Sequence, residues 1–168
     1  FLARYGTPLP SFGFVCSPLV VGDHVYVQAA GSFLKLDKSS GKTIWRSLAD
    51  GGGMYGSAFS SPILDEIAGH EQLLVQTRTR LTGVDPEGGN VLWSREVPAF
   101  RGMNILTPTV TSEGIFTSSY GGTAIFLRLE KDGGKLAPKE VWEDPAQGYM
   151  STPVVIDRYK TPLPSFGF

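Results

Sequence analysis

Four pairs of a small residue followed by proline, Ser17-Pro18, Ser61-Pro62, Thr107-Pro108 and Thr152-Pro153, divide the chain at intervals of 44, 46 and 45 residues. A second marker keeps the same phase: Trp45, Trp93 and Trp142 stand 48 and 49 residues apart, each closing an apolar stretch. Two independent markers on one period mean an internal repeat, and a repeat confines a chain to stacked copies of one small unit. In the first two units the match extends to Asp-x-x-x-Gly-x-x-x-Trp, as Asp37, Gly41 and Trp45 and again as Asp85, Gly89 and Trp93.

Within a unit, apolar runs of four to eight residues alternate with turn residues, and no long stretch has the 3.6-residue period of a helix. The first unit divides into strands near Ser17 to Val21, His24 to Ala29, Ser32 to Asp37 and Lys42 to Ser47. Gly22-Asp23, Ser40-Gly41, Gly88-Gly89, Glu113-Gly114 and Gly133-Gly134 supply residues that tolerate positive φ between antiparallel strands. A four-stranded unit too thin to bury its own faces must stack on its neighbours, which is the design of a β-propeller blade. The expected fold is therefore all-β, with four-stranded antiparallel blades at about 17–47, 61–95 and 107–143.

Composition narrows the partners. The chain carries 15 Lys plus Arg against 16 Asp plus Glu with no basic run, a poor footprint for nucleic acid. Its apolar runs, such as Pro18-Leu19-Val20-Val21, fall far short of the about 20 residues that span a bilayer as a helix. Cys16 is the one cysteine, so no intrachain disulfide forms, and its place beside Val15 suits a small buried side chain.

The stretch from Leu36 to Trp45, with Asp37, Gly41 and the closing Trp, resembles the tryptophan-docking motif of quinoprotein-like (pyrroloquinoline-quinone-type, PQQ-like) repeats, with Ser40 where that motif has Thr. Val84 to Trp93 repeats it with Gly88 at the Thr position, while the third unit keeps Trp142 but has a longer loop from Lys131 to Lys139. The resemblance covers residues 1 to about 158. It implies that Asp37, Gly41, Trp45, Asp85, Gly89, Trp93 and Trp142 dock one blade on the next. The family includes quinone-dependent dehydrogenases, the lipoprotein propeller of the outer-membrane assembly machine, and exported repeat proteins of the planctomycete type; it implies a periplasmic or secreted protein.

The terminal segments fit the period less simply. Residues 1–5 fall in phase with the last strand of a preceding blade, and residues 152–157 with the first strand of a following one, so both are expected to be stray strands of a propeller fragment. Residues 159–168 copy residues 5–14, with Thr161 to Phe168 matching Thr7 to Phe14 letter for letter. That copy is out of phase with the repeat and reads as an assembly overlap, an artificial junction or a recent local duplication. Open sheet edges are expected to pair with the remaining blades of the same protein or with another chain.

A dehydrogenase of this type holds its quinone beneath an adjacent-cysteine disulfide and beside a Ca²⁺ site. The single cysteine excludes the first, and no Glu or Asp here matches the second. The expectation is no cofactor and no catalytic or metal residue, with PQQ and calcium entering only if the chain is part of a dehydrogenase whose site lies in other blades. His24 and His70 follow turns without metal-ligand spacing, and no nucleophile elbow, P-loop or zinc motif is present. Three linkers leading into first strands bring together apolar area and hydrogen-bonding groups, the mixture suited to a partner or small-molecule ligand. They carry Tyr55; Arg101, Met103 and Asn104; and Gln147 and Tyr149. The expected function is a non-catalytic scaffold or binding propeller; a carbohydrate- or peptide-binding propeller is a further alternative.

Overall fold

Three four-stranded antiparallel sheets follow one another along the chain, each built from four consecutive strands in spatial order. They are seen in a computed structural model that describes residues 2–7, 9–29, 31–50, 58–148 and 150–155. The first sheet holds β1 (Leu19–Val21), β2 (His24–Ala29), β3 (Ser32–Asp37) and β4 (Thr43–Ser47). The second holds β5 (Ile63–Ile67), β6 (His70–Gln76), β7 (Arg80–Val84) and β8 (Val91–Glu96). The third holds β9 (Thr109–Val110), β10 (Ile115–Ser118), β11 (Ala124–Asp132) and β12 (Lys135–Asp144). These are β-propeller blades, one per repeat.

The period is visible in the register. One row of paired residues crosses each blade: Leu19, Tyr26, Lys35 and Trp45; Ile63, Leu74, Gly83 and Trp93; Thr109, Phe116, Phe126 and Trp142. At the same point in every blade the outer pairing slips, between Lys35 and Leu36, Gly83 and Val84, and Phe126 and Leu127. The extra residue is Ile44, Leu92 or Val141, immediately before each tryptophan. A bulge bends its strand and re-aims the next side chain, so all three indoles occupy one common place.

Because side chains alternate across a strand, the middle blade is buried on both faces. Leu73, Val75 and Val84 join Tyr26 and Phe33 in a layer between the first two blades. Leu74, Leu81 and Trp93 join Ile115, Ile125, Leu127 and Leu129 in a layer between the second and third. This accounts for the uninterrupted Leu73-Leu74-Val75 run, each side chain contributing about 1.5–3 kcal/mol by leaving water.

Three expectations from the sequence are corrected. Leu2–Tyr5 forms a single helical turn, α1, in place of the stray strand expected over residues 1–5. A strand needs a ladder partner, whereas a helical turn closes its own hydrogen bonds; Arg4 Nη1 donates to the Gly41 carbonyl at 3.4 Å and Tyr5 bonds Thr43 through their hydroxyls. Likewise residues 152–155 form no strand, and the rest of that expected strand, with the 159–168 copy, lies outside the described residues. The Lys131 to Lys139 segment, expected as a loop, is mostly ladder: Lys131 pairs with Leu136 and Asp132 with Lys135. Gly133 and Gly134 have φ of 55° and 82°, the two consecutive left-handed residues that a two-residue hairpin turn demands.

Candidate binding surface and the contacts that position it

One main-chain oxygen of the second blade gathers three side chains of the first. The Pro86 carbonyl, in the turn between β7 and β8, accepts from Lys35 Nζ at 2.9 Å, Trp45 Nε1 at 3.3 Å and the Tyr26 hydroxyl at 3.4 Å. The Trp45 indole lies over Gly89, where a Cβ would stand 2.8 Å from Cδ2 of its ring. Gly89 also has φ of 73°, so both the turn and the indole require glycine there. Asp85 shapes that turn by accepting from the Gly88 N–H at 2.8 Å. In the first blade Asp37 does the same work, accepting from the Ser40 N–H at 2.7 Å and the Ser40 hydroxyl at 2.6 Å. Those bonds, the Ser40 hydroxyl foremost, hold the Asp37 carboxyl down at about 2.

The other two indoles meet different surroundings. Trp93 is 4% exposed and donates to Gln72 Oε1 at 2.5 Å across its own blade, in a space that the missing side chain of Gly83 leaves open. Trp142 is 43% exposed and stacks on Phe126 at 5.7 Å, 10° from parallel.

Buried glutamines stitch the blades deeper in. Gln28 Nε2 donates to the carbonyls of Ser60 and Gln76, at 2.8 and 2.9 Å. Gln76 Nε2 in turn donates to those of Leu106 and Ser118, at 3.4 and 3.2 Å, and its Oε1 accepts from the Thr117 hydroxyl. Neither glutamine was singled out from the sequence, although Val27-Gln28 and Val75-Gln76 recur at the 48-residue spacing of the first two tryptophans. Cys16 packs against this region, its thiol donating to the Gln28 carbonyl, and burial pushes its pKa up.

On this frame the linker residues divide. Asn104 is buried, and its Nδ2 donates to the carbonyls of Val97, Thr77 and Arg78 at 2.9, 3.0 and 3.2 Å; it clamps the linker to the turn between β6 and β7. Met103 is half-buried. Arg101 lies in a 3₁₀ turn, Phe100–Gly102, with φ of 54°, a left-handed conformation that a side chain pays for with strain. Its guanidinium sits 4.9 Å from the Phe100 ring centre, within cation–π range. Phe100, half exposed, meets Tyr120 edge-on at 5.5 Å and 81°, while Gln147 Oε1 accepts from the Gly121 N–H at 3.0 Å. The Tyr120-Gly121 turn thus brings Arg101 and Gln147, from two different linkers, to one surface together with Phe100. Tyr55 and Tyr149 lie outside the described residues.

Phe100 and Tyr120 were not distinguished in the sequence, since nothing local separates an exposed linker aromatic from a core one. Next to Phe100 an open groove of about 320 Å³ is lined by Thr79, Arg80, Glu96, Pro98 and Ala99. Among the described residues no three His, Cys, Asp or Glu side chains converge to hold a metal ion. Arg78 and Arg80 do not share a strand face: the Thr77 hydroxyl accepts from the Arg80 N–H at 3.1 Å to close a turn. Arg78 then pairs with Asp50 at 2.9 Å and Arg80 with Glu96 at 3.4 Å.

Three four-stranded blades carrying recurrent indoles at a common bulge define a PQQ-like β-propeller repeat protein. The family model PQQ_2, described as outer membrane protein assembly factor BamB, matches residues 7–159, and the chain belongs to that family. No curated protein matches it. No helix among the described residues is long and apolar enough to cross a membrane.

Proposed function

We propose that the chain serves as a non-catalytic binding scaffold of an exported, periplasmic protein, presenting Phe100, Arg101, Tyr120 and Gln147 to an extended segment of a partner protein. The observation that carries this is Arg101, held with positive φ beside a half-exposed aromatic ring. Strain of this kind persists where function needs a side chain displayed, because a glycine would serve the turn better. Exposed aromatic and arginine side chains together are the groups that dominate protein recognition, and an open depression lined by Thr79, Arg80, Glu96, Pro98 and Ala99 adjoins them. The description of the family as an assembly factor agrees with recognition of protein.

A photo-crosslinking residue at Phe100 in cells tests this. The expected result is a discrete protein adduct that weakens when Arg101 is also changed to Ala; adducts no more discrete than those from a probe at the exposed Val91 would sink the idea. The cofactor is open to the same scrutiny. Adding PQQ with Ca²⁺ is expected to leave the tryptophan fluorescence unchanged, and saturable quenching would favour a dehydrogenase instead.

A further inference from the structure

The turn between β6 and β7 is met by two linkers at once. From the linker between the first two blades, the Asp50 carboxylate accepts from Arg78 Nε at 2.9 Å. The N–H of Asp50 itself donates to the Gly31 carbonyl at 2.9 Å, which fixes the residue to the first blade. From the linker between the second and third blades, Gly102 lies against the stem of the same arginine: a Cβ there would stand 3.1 Å from Arg78 Cβ and 3.7 Å from its Cδ. Asn104 Nδ2 donates to the Arg78 carbonyl at 3.2 Å. One side chain is thus gripped at its head by one linker, while its stem supports the backbone of the next.

We propose that Asp50 is a positioning residue for the Phe100 to Gly102 turn, acting through Arg78, so that the linkers on either side of the second blade hold one display surface between them. A long, flexible side chain keeps a single rotamer only while its far end is held. Asp50 supplies that hold, and with the Arg78 and Asp50 side chains 21% and 36% exposed the pair is screened less than one on the open surface. The stem so fixed lies against Gly102, whose φ is 70°, and Arg101, with φ of 54°, is its immediate neighbour. Releasing the guanidinium lets the stem swing, and the strained turn loses one of the contacts that over-determine it. The pair of Arg80 and Glu96 has no such reach, since both residues belong to strands of one blade. This role rests on the reading of Arg101 as a displayed side chain.

Amide hydrogen exchange on the full chain, with no partner added, reads the turn through the N–H groups of Gly102 and Met103, which donate to the Ala99 and Phe100 carbonyls at 3.0 and 3.1 Å. Asp50→Ala is expected to speed exchange at both by about threefold, the size of a partly exposed ion pair. Gly89, whose N–H donates to the Asp85 carbonyl in another turn of the same blade, should be unchanged. Arg78→Met keeps an unbranched stem but removes the guanidinium, and should act as Asp50→Ala does; the double variant should be no faster than either. In cells the Phe100 crosslink should fall by a similar factor in Asp50→Ala. Unchanged exchange at Gly102, a neutral Arg78→Met, additive effects in the double variant, or equal acceleration at Gly89, the mark of a general loss of stability, each overturn the proposal. Faster exchange with an undiminished crosslink also overturns it and leaves the proposed function standing. The absence of a discrete adduct in the wild type sinks that function instead, and exchange alone then decides whether Asp50 positions the turn.

Discussion

Gly41 and Gly89 form a matched pair from which the value of seating an indole can be measured by difference. Both have positive φ, 66° and 73°, so Ala at either site suffers the same left-handed backbone strain, about 1–2 kcal/mol. Only at Gly89 does the new methyl group collide, with three atoms of the Trp45 indole at 2.8, 2.9 and 3.2 Å. Real Cβ contacts do not fall below 3.0 Å, so the ring must shift. Doing so weakens its bond to the Pro86 carbonyl, worth about 1 kcal/mol, and disturbs a packed site, which costs about 1–3 kcal/mol. Gly89→Ala is therefore expected to destabilise the chain by about 2 kcal/mol more than Gly41→Ala. Urea unfolding followed by circular dichroism measures both. Equal losses, within the about 0.5 kcal/mol to which independent substitutions add, would show that the indole contributes nothing by lying on that turn.

Three further outcomes follow from the same geometry. Gln76→Ala leaves the Thr117 hydroxyl and the carbonyls of Leu106 and Ser118 without their buried partner; denaturant melts should show a loss of about 2–4 kcal/mol. Arg101→Gly relieves the left-handed strain at φ of 54° at some cost in unfolded-state entropy. Thermal unfolding should show stability kept or raised by about 0.5–1 kcal/mol, while the Phe100 crosslink is lost. The Asp37 carboxyl titrates at about 2 when folded, against about 4 when unfolded. A depressed carboxyl contributes stability above its unfolded value that fades as pH falls through the folded one. Carboxyl NMR should place its midpoint near 2, and Asp37→Asn should flatten the pH dependence of unfolding between about 4 and 2.

The fold was legible because its two strongest signals are local and periodic. A proline opening each first strand and an indole closing each last one report the backbone directly, and the strands lie where alternation and turn residues place them. What escaped depends on neighbours. Trp45, Trp93 and Trp142 have one position in the repeat but three environments, set by Lys35, Gly83 and Phe126 opposite them. Asn104 has the composition of a contact residue, yet it is spent on three carbonyls inside the protein. Leu2–Tyr5 kept the phase of a strand but became a helical turn, since phase cannot supply a pairing partner. Arg101 and Gln147 were readable as linker residues; that Tyr120 and Gly121 bring them together was not, because a separation of 46 residues along the chain carries no local signal.

The oxygen on which Tyr26, Lys35 and Trp45 converge belongs to the polypeptide backbone. Every amino acid brings such an oxygen, so the residue that offers it is free to drift while the grip endures. A module held this way can be copied, moved along a gene or exchanged with a sibling without renegotiating its fit, which suits an architecture that grows by duplication.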